Sequence, residues 1–221
     1  MNTNKTFPTV TVVGAGLAGS EAALQLAMRG VAVRLVEMRP KRQTDVHKTG
    51  DPAELVCSNS LKSKDATSAA GSLKYELAAM GSQVLSCAFE TEVAAGGALA
   101  VNRAEFSAHV KSLLDSFDNI EFCEQECTGI PQGPAIIATG PLTSDALAAC
   151  LERELGAKSL AFYDAAAPIV EADSLDRDVV FAQSRYDKGG SADYLNAPLD
   201  KESYEAFVTE LVGAKRVIEK D

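Results

Sequence analysis

The sequence predicts an α/β fold with a central parallel sheet, and three observations near its amino terminus support that prediction. The run Thr9–Val13 is β-branched and apolar, which is typical of a buried parallel strand. The pattern G-x-G-x-x-G follows at Gly14–Gly19. A second apolar strand, Val31–Val36, then ends at Glu37.

The segment between the two predicted strands is a helix with glycines at its start. Apolar residues have helical spacing over Ser20–Arg29, and Gly30 is a suitable end for that helix. In this pattern Gly14 permits a tight turn, Gly16 lets the backbone approach a pyrophosphate, and Gly19 allows close packing of helix on strand. Three unrelated turn glycines would be the alternative, but strand, glycines, helix, strand and acid stand here in the required order.

The acidic residue identifies the nucleotide. Glu37 lies roughly 20 residues beyond the first glycine, where a carboxylate binds a ribose hydroxyl. A carboxylate repels a ribose 2′-phosphate, so the pattern favours FAD or NAD over NADP. The sequence therefore predicts a Rossmann-like FAD/NAD(P)-binding domain.

The later elements are predicted more coarsely. Thr139 and Gly140 end a second buried strand, at the edge where open α/β sheets bind ligands. The sequence becomes polar and loses its regular apolar pattern from Asp173 onward. We expect a FAD-binding domain over residues 1–178 and the start of an inserted second domain over 179–221. Before Asp173 the patterns predict, in chain order, a loop after Pro40, a helix in the middle of 68–88, a strand at 96–101, a helix that Asn102 caps, a strand pair or a bent strand over 120–130, a helix ending near 155, and an apolar run at 160–170.

Composition narrows the class of protein. The chain has 221 residues, 46% of them hydrophobic, which is enough for a core. No apolar stretch reaches the length of about 18 residues that a membrane span needs. Five cysteines form no disulfide framework, and with no signal peptide this favours the cytoplasm. The net charge of −10 argues against a broad nucleic-acid surface on this chain.

Four of the cysteines have ordinary interpretations. Cys123 and Cys127 are spaced C-x₃-C, but no second pair completes a zinc site, so we predict no metal. Cys87 and Cys150 lie among Ala and Leu and are expected in the core. His47, in the loop after Glu37, is compatible with both a cofactor contact and a solvent-facing position.

Cys57 differs because it lies in the polar stretch "AELVCSNSLKS". Ser-Asn-Ser is turn chemistry, and Lys62 and Lys64 nearby would favour a reactive thiolate. The residues alone leave a functional thiol and a buried turn residue equally open.

Several longer blocks resemble a known family, the bacterial folate- and FAD-dependent tRNA (uracil-5-)-methyltransferases, relatives of the glucose-inhibited division flavoproteins. The resemblance implies transfer of a methylene group from 5,10-methylenetetrahydrofolate, by way of reduced FAD, to C5 of the T-loop uridine in tRNA, with NAD(P)H as reductant. It runs nearly end to end and is carried by "VVGAGLAGSEAA", "LVEMRP", "AELVCSNSLKS", "AGGALAVNR", "IIATGPLTSDAL", "FYDAAAPIVEADSLD" and "SRYDKG".

The resemblance also implies site residues. Cys57 matches the first of two family cysteines, which are needed because C5 of uracil becomes nucleophilic only when a thiolate adds to C6, and an acid/base group must then remove the C5 proton. Whether Cys57 is that base or shields the flavin stays open. The implied cofactor-binding residues are Gly14, Ala15, Gly16, Leu17, Ala18, Gly19, Glu37, Arg39, Cys127, Thr139 and Gly140.

The family's second cysteine and its last flavin-contacting segment have no counterpart before Asp221. We therefore expect the chain to correspond to the amino-terminal half of such an enzyme, with little methyl transfer by itself. Two alternatives are a free-standing FAD/NAD oxidoreductase and a non-catalytic flavin-binding module that needs a partner chain. A homo-oligomer is compatible with the sequence, which does not fix the oligomeric state.

Overall fold

The structure, a computed structural model, describes residues 7–44, 46–156, 170–184 and 192–215. The backbone divides into two compact units, Met1–Ala167 and Pro168–Asp221. The predicted domain limits at residues 178 and 179 stay a prediction, because a division into compact units does not by itself define an inserted domain.

The first unit alternates strands and helices as the sequence predicts. In chain order its elements are β1 (Val10–Val13), α1 (Leu17–Met28), β2 (Val33–Glu37), β3 (Ser60–Ser63), α2 (Ala69–Ala79), α3 (Gln83–Glu90), β4 (Glu92–Val93), β5 (Ala98–Val101), α4 (Arg103–Asp115), β6 (Ile120–Glu124), β7 (Ala135–Ile137) and α5 (Asp145–Leu155), with a 3₁₀ turn at Gly140–Leu142.

The central sheet has the strand order β6-β2-β1-β7. All three pairings are parallel, with Val12 opposite both Leu35 and Ile136, and Leu35 opposite Phe122. The predicted parallel sheet is therefore confirmed. Because parallel strands end at the same edge, the residues that follow β1, β2, β6 and β7 come together there.

The core lies where α1, α3 and α4 meet the sheets. Leu24, Leu35 and Phe106 are fully buried in it, and Cys87 is 2% exposed. Cys87 thus fills the core as predicted, and Cys150 on α5 is also buried.

Helix starts follow the predicted chemistry in part. The Asn102 side chain accepts from the Glu105 amide at the start of α4, which confirms the predicted cap. The single helix expected within 68–88 is two helices, because the chain turns at Gly81, which has a φ of +77°. Glu21 on α1 accepts hydrogen bonds from the Gln83 and Val84 amides, so α1 caps the second of these helices.

A small antiparallel sheet, β3-β5-β4, supplements the parallel one. Strand β5 confirms the strand predicted at 96–101, whereas β3 was not predicted. Ser60 pairs with Ala100 and Ser63 with Ala98, so a polar segment becomes a strand through its partner and not through its own pattern.

The second unit has β8 (Phe181–Ala182) paired with β9 (Leu195–Asn196), a 3₁₀ turn at Ala172–Ser174, and α6 (Lys201–Gly213). Helix α6 was not predicted, because the sequence from Asp173 onward was interpreted as polar and irregular. Asp200 caps the helix by accepting from the Ser203 amide. The apolar run expected at 160–170 lies almost entirely outside the described residues. In the described ranges, no helix has both the length and the apolar character to cross a membrane.

Candidate nucleotide-binding site

A cavity of about 290 Å³ opens at the carboxyl edge of the parallel sheet. This is close to the lower end of the range for small-molecule sites, roughly 300–1,000 Å³. It lies where the glycine turn, the end of β2, the loop after β6 and the turn after β7 meet. Its walls are Val13, Gly14, Gly16, Leu17, Ala18, Val36–Arg39, His47, Val56, Gln125–Cys127, Ala138–Leu142, Ser144 and Leu147.

The glycine turn is tight, and two of its positions have no room for a side chain. Gly14 has a φ of +95°, and a Cβ there would lie 2.8 Å from the Ala138 carbonyl oxygen. A Cβ at Gly19 would lie 1.7 Å from the carbonyl oxygen of Gly14. Gly16 is different, because a Cβ there would meet no atom within 4 Å. Its backbone therefore faces open space at the cavity, where a ligand can approach it.

The amino terminus of α1 points its free amides at this space. Gly16 is the N-cap and has no side chain to satisfy them, and Leu17 and Ala18 of the first turn line the cavity. The unpaired amides and the positive end of the helix dipole make such a terminus a ready site for phosphate.

Glu37 forms the second wall and is 6% exposed. Its Oε2 accepts from the Ala15 amide at 2.8 Å, and its Oε1 accepts from the Arg39 amide at 3.1 Å and from Arg39 Nε at 3.0 Å. A carboxylate has about four acceptor sites, so acceptor capacity remains for a ribose hydroxyl. Ala15, whose amide is engaged here, lies behind the carboxylate and does not line the cavity.

The hydrogen-bond partners of Glu37 favour its ionised form. Burial raises the pKa of this carboxyl, but the hydrogen bonds from Arg39 and Ala15 outweigh burial, and the net pKa lies below its ordinary value. Glu37 is therefore ionised at neutral pH, as a hydrogen-bond acceptor for ribose should be.

Arg39 is buried between two carboxylates. It is 2% exposed, and its Nη1 donates to Glu54 Oε2 at 3.1 Å. Glu54 also accepts from the amides of Lys48 and Thr49, so its carboxylate links the loop before it to the guanidinium of Arg39.

His47, which the sequence left open, lies in the cavity wall. Its Nδ1 is 2.6 Å from Thr44 Oγ1. Burial and the Arg39 cation lower the pKa of His47, so the imidazole is neutral at pH 7 and adds no positive charge to the site.

The far wall is built from the turns after β6 and β7. Cys127, Thr139 and Gly140 all line the cavity, and Gly140 has a φ of +62°. Cys127 Sγ donates to the Gly129 carbonyl at 3.0 Å, and Thr139 Oγ1 lies 2.6 Å from Thr143 Oγ1. Among the described residues no group of three or more His, Cys, Asp or Glu could hold a metal ion.

Cys57 is exposed but is not part of the cavity wall, which its neighbour Val56 lines. The loop before it is tied to the glycine turn, because the Ala53 amide donates to the Ala15 carbonyl at 2.8 Å. Lys64 forms an ion pair with Glu92. The thiol is thus reachable, which decides against the buried turn residue that the sequence had left open, and it lies one residue from Val56 in the cavity wall.

Sequence reasoning did not find Glu54, Gln125 or Glu126 as residues of this site. Glu126 lines the cavity and pairs with Arg42, whereas Glu54 acts through Arg39. No spacing rule points to them, since their contacts join loops that are distant in the chain.

The cavity fits the adenosine diphosphate part of a dinucleotide. A glycine turn without side chains, a helix amino terminus and an ionised carboxylate meet the needs of a pyrophosphate and a ribose. Fold and site together define a dinucleotide-binding domain of the Rossmann type.

Comparison with known proteins gives the family. The family model for glucose inhibited division protein A matches residues 9–221, and the chain belongs to this family. It is 55% identical, over 95% of its length, to the methylenetetrahydrofolate–tRNA-(uracil-5-)-methyltransferase TrmFO of Bacillus licheniformis, of which it covers 48%. For the enzyme of that name from Lactobacillus helveticus the identity is 54%, over 93% of this chain and 51% of the relative.

The chain thus spans about half the length of these curated relatives. A solved structure of GidA from Aquifex aeolicus is similar with a TM-score of 0.45 and 17% identity, covering 57% of this chain and 21% of that one. So partial an overlap has no bearing on function.

Proposed function

We propose that this chain binds FAD in the cavity and belongs to an enzyme that transfers a one-carbon group from 5,10-methylenetetrahydrofolate to C5 of the T-loop uridine in tRNA. The observation that carries the proposal is the identity of 55% over nearly the whole chain with a relative named for that reaction. Bound FAD would supply the redox step and carry the carbon, and NAD(P)H would reduce it.

The residues of the cavity have distinct tasks in this proposal. The open backbone at Gly16 and the amides of Leu17 and Ala18 bind the pyrophosphate. Glu37 would accept from the ribose. Cys127, Thr139 and Gly140, which line the same cavity, would hold other parts of the cofactor. Leu147 and Val13 form apolar walls that exclude water.

Cys57 supplies the thiol on the side of the uracil. When a nucleophile has added to C6, the proton on C5 must be removed before the ring can regain its double bond. We assign that proton transfer to Cys57, because the loop holding it is hydrogen-bonded to the glycine turn through Ala53 and Ala15. The nucleophile at C6 would be a second cysteine that this chain does not contain in the family's pattern.

The tRNA should be bound mainly by basic surface other than that of this chain, because its net charge is −10. We infer a cytoplasmic setting, where tRNA and reduced folates meet, and we expect little methyl transfer by this polypeptide alone. A homo-oligomer is compatible with the proposal.

The first test is FAD binding to the chain itself. Titration followed by flavin fluorescence should show saturable binding, and Glu37→Ala should weaken it by about tenfold or more, as loss of a charge-assisted hydrogen bond predicts. The matched control is Glu76→Ala, an exposed carboxylate on α2. Equal affinity of both variants, or no binding at all, would contradict the proposed site.

The second test concerns the reaction. Deletion of the encoding gene should remove 5-methyluridine from the T-loop of cellular tRNA, and the intact gene should restore it. A Cys57→Ser gene should fail to restore it, whereas Cys123→Ser, which changes a half-buried thiol on β6, should succeed. Unchanged methylation in the deletion strain would favour an oxidoreductase acting on small molecules.

A further inference from the structure

Arg39 lies in contact with Glu37, the carboxylate proposed to bind the ribose, and the two side chains have opposite effects on a 2′-phosphate. In Rossmann-type sites an acidic residue selects a free 2′-hydroxyl, whereas a nearby arginine accommodates a 2′-phosphate. This cavity wall contains both, Glu37 and Arg39, two residues apart. Which ligand the site accepts therefore depends on whether the guanidinium is available.

The structure engages Arg39 on two sides. Its Nε donates to Glu37 at 3.0 Å and its Nη1 donates to Glu54 at 3.1 Å. The side chain is only 3% exposed, and that of Glu54 is 11% exposed. Two of the five guanidinium N–H donors are thus held by carboxylates, and burial leaves the side chain little room to turn toward a phosphate on the 2′-oxygen.

We propose that Glu54 is a specificity-determining residue, which withholds Arg39 from the ligand and so makes the site reject nucleotides that carry a ribose 2′-phosphate. The inference rests on the proposed function in one respect, namely that the cavity binds a dinucleotide. It adds a residue that touches no ligand and acts through Arg39.

The charges around the ribose position support this role. Glu37 and Glu54 contribute two negative charges and Arg39 one positive charge, and the neutral His47 adds none. A phosphate monoester, with a charge of about −1.5 to −2 at pH 7, meets a net negative cluster. Without the charge of Glu54 the cluster would be neutral, and Nη1 of Arg39 would lose the carboxylate that holds it.

Glu54 is fixed firmly enough to act in this way. Its Oε1 accepts from the Lys48 amide at 2.7 Å, and its Oε2 accepts from Thr49 Oγ1 at 2.9 Å. The carboxylate is thus oriented by its own loop before it contacts Arg39, so it does not depend on the ligand for its position.

The experiment compares NAD⁺ with NADP⁺, which differ only in the 2′-phosphate, as competitors against FAD fluorescence. In the unmodified chain NAD⁺ should compete better by about a hundredfold, as repulsion of a doubly charged group by a desolvated carboxylate cluster predicts. Glu54→Gln should cut this ratio by about tenfold or more, chiefly through tighter NADP⁺ binding.

Two further variants make the result specific. Asp51→Asn removes the same charge from the same loop, and among the described contacts Asp51 does not bond to Arg39; it should leave the ratio unchanged. Adding Arg39→Met to Glu54→Gln should abolish the gain in NADP⁺ affinity.

The outcomes separate the two proposals. If the unmodified chain binds FAD but Glu54→Gln weakens NAD⁺ and NADP⁺ equally, Glu54 has only a structural role and the inference is wrong. An unchanged ratio is equally contrary to it. If the unmodified chain binds no FAD, it is the proposed function that fails.

Discussion

The backbone amide of Ala15 donates to Oε2 of Glu37 at 2.8 Å, so the glycine turn and the carboxylate after β2 form one hydrogen-bonded unit. The Ala15 carbonyl accepts from the Ala53 amide on its other side. The turn that faces the pyrophosphate, the acid that faces the ribose and the loop that leads to Cys57 are thus joined through a single residue. Changes at Glu37 should therefore affect stability as well as binding.

Glu37→Gln should lower the free energy of unfolding by about 1–3 kcal/mol, because it leaves a buried arginine with a weaker partner. Urea unfolding of the chain without nucleotide measures this directly. The control is Glu121→Gln, whose side chain is 70% exposed and lies 3.9 Å from Arg34; surface pairs of this kind contribute about 0–1 kcal/mol. Equal loss in both variants would show that the contacts of Glu37 do not stabilise the turn.

The same contacts predict an acid-sensitive fold. The pKa values of Glu37 and Glu54 are both below the ordinary 4.5; burial opposes this at each site, but the hydrogen bonds outweigh it. A carboxyl whose pKa is lowered in the folded state stabilises that state fully above its unfolded pKa and loses the contribution as pH falls through the folded pKa. Stability should thus decline once the pH drops below about 4.5.

The check is urea unfolding over a series of pH values from neutral to acid. The unmodified chain should lose stability more steeply below that pH than Glu37→Gln, which has one titrating carboxyl fewer. Parallel curves for the two proteins would mean that Glu37 does not have the lowered pKa expected from its partners.

Substitutions at Gly16 and Gly19, two of the three glycines of the turn, should separate stability from binding. Gly19→Ala places a methyl group 1.7 Å from the Gly14 carbonyl oxygen, and we expect it to cost about 1–3 kcal/mol or more. The added methyl group of Gly16→Ala meets no atom within 4 Å, so the free energy of unfolding should change by no more than about 1 kcal/mol. The affinity for FAD should nevertheless fall by about tenfold, because the methyl group would occupy the space through which the pyrophosphate approaches the backbone. Thermal unfolding and FAD titration of both variants test this; a stable Gly19→Ala protein would contradict the close approach.

The sequence predicts those parts of the fold whose signals are short-range. Strand β1, helix α1 and strand β2 follow from apolar periodicity and glycine positions within one stretch, and the parallel sheet follows from their order. Asn102 was predictable as a cap for the same reason, since its partner amide at Glu105 is three residues away.

Features that depend on distant partners were not predictable. Strand β3 exists because Ser60 and Ser63 pair with β5, and Glu54 belongs to the site because Arg39 lies opposite it. Neither contact leaves a periodic trace in the sequence. Helix α6 was missed for a different reason. Its apolar residues do have helical spacing, at Tyr204, Phe207, Val208, Leu211 and Val212, but the polar stretch that precedes them dominated the interpretation of this end of the chain.

The thiol of Cys57 should be the most reactive in the chain toward a water-soluble disulfide reagent, because it is exposed while Cys87 and Cys150 are buried. Burial also raises the pKa of Cys87, which keeps that thiol protonated and slow. Cys57→Ser should abolish the fast phase of labelling, whereas Cys87→Ser should leave it intact.

FAD should slow the labelling of Cys57, because Val56 lines the cavity and a ligand there would restrict access to the next residue. Cys123 is the internal control, since it is half-buried on β6 and is not part of the cavity wall. Mass spectrometry of the labelled chain distinguishes the two thiols. If FAD binds but protects Cys57 and Cys123 to the same small extent, the thiol does not stand beside the cofactor, and the assignment of proton transfer to Cys57 fails with it.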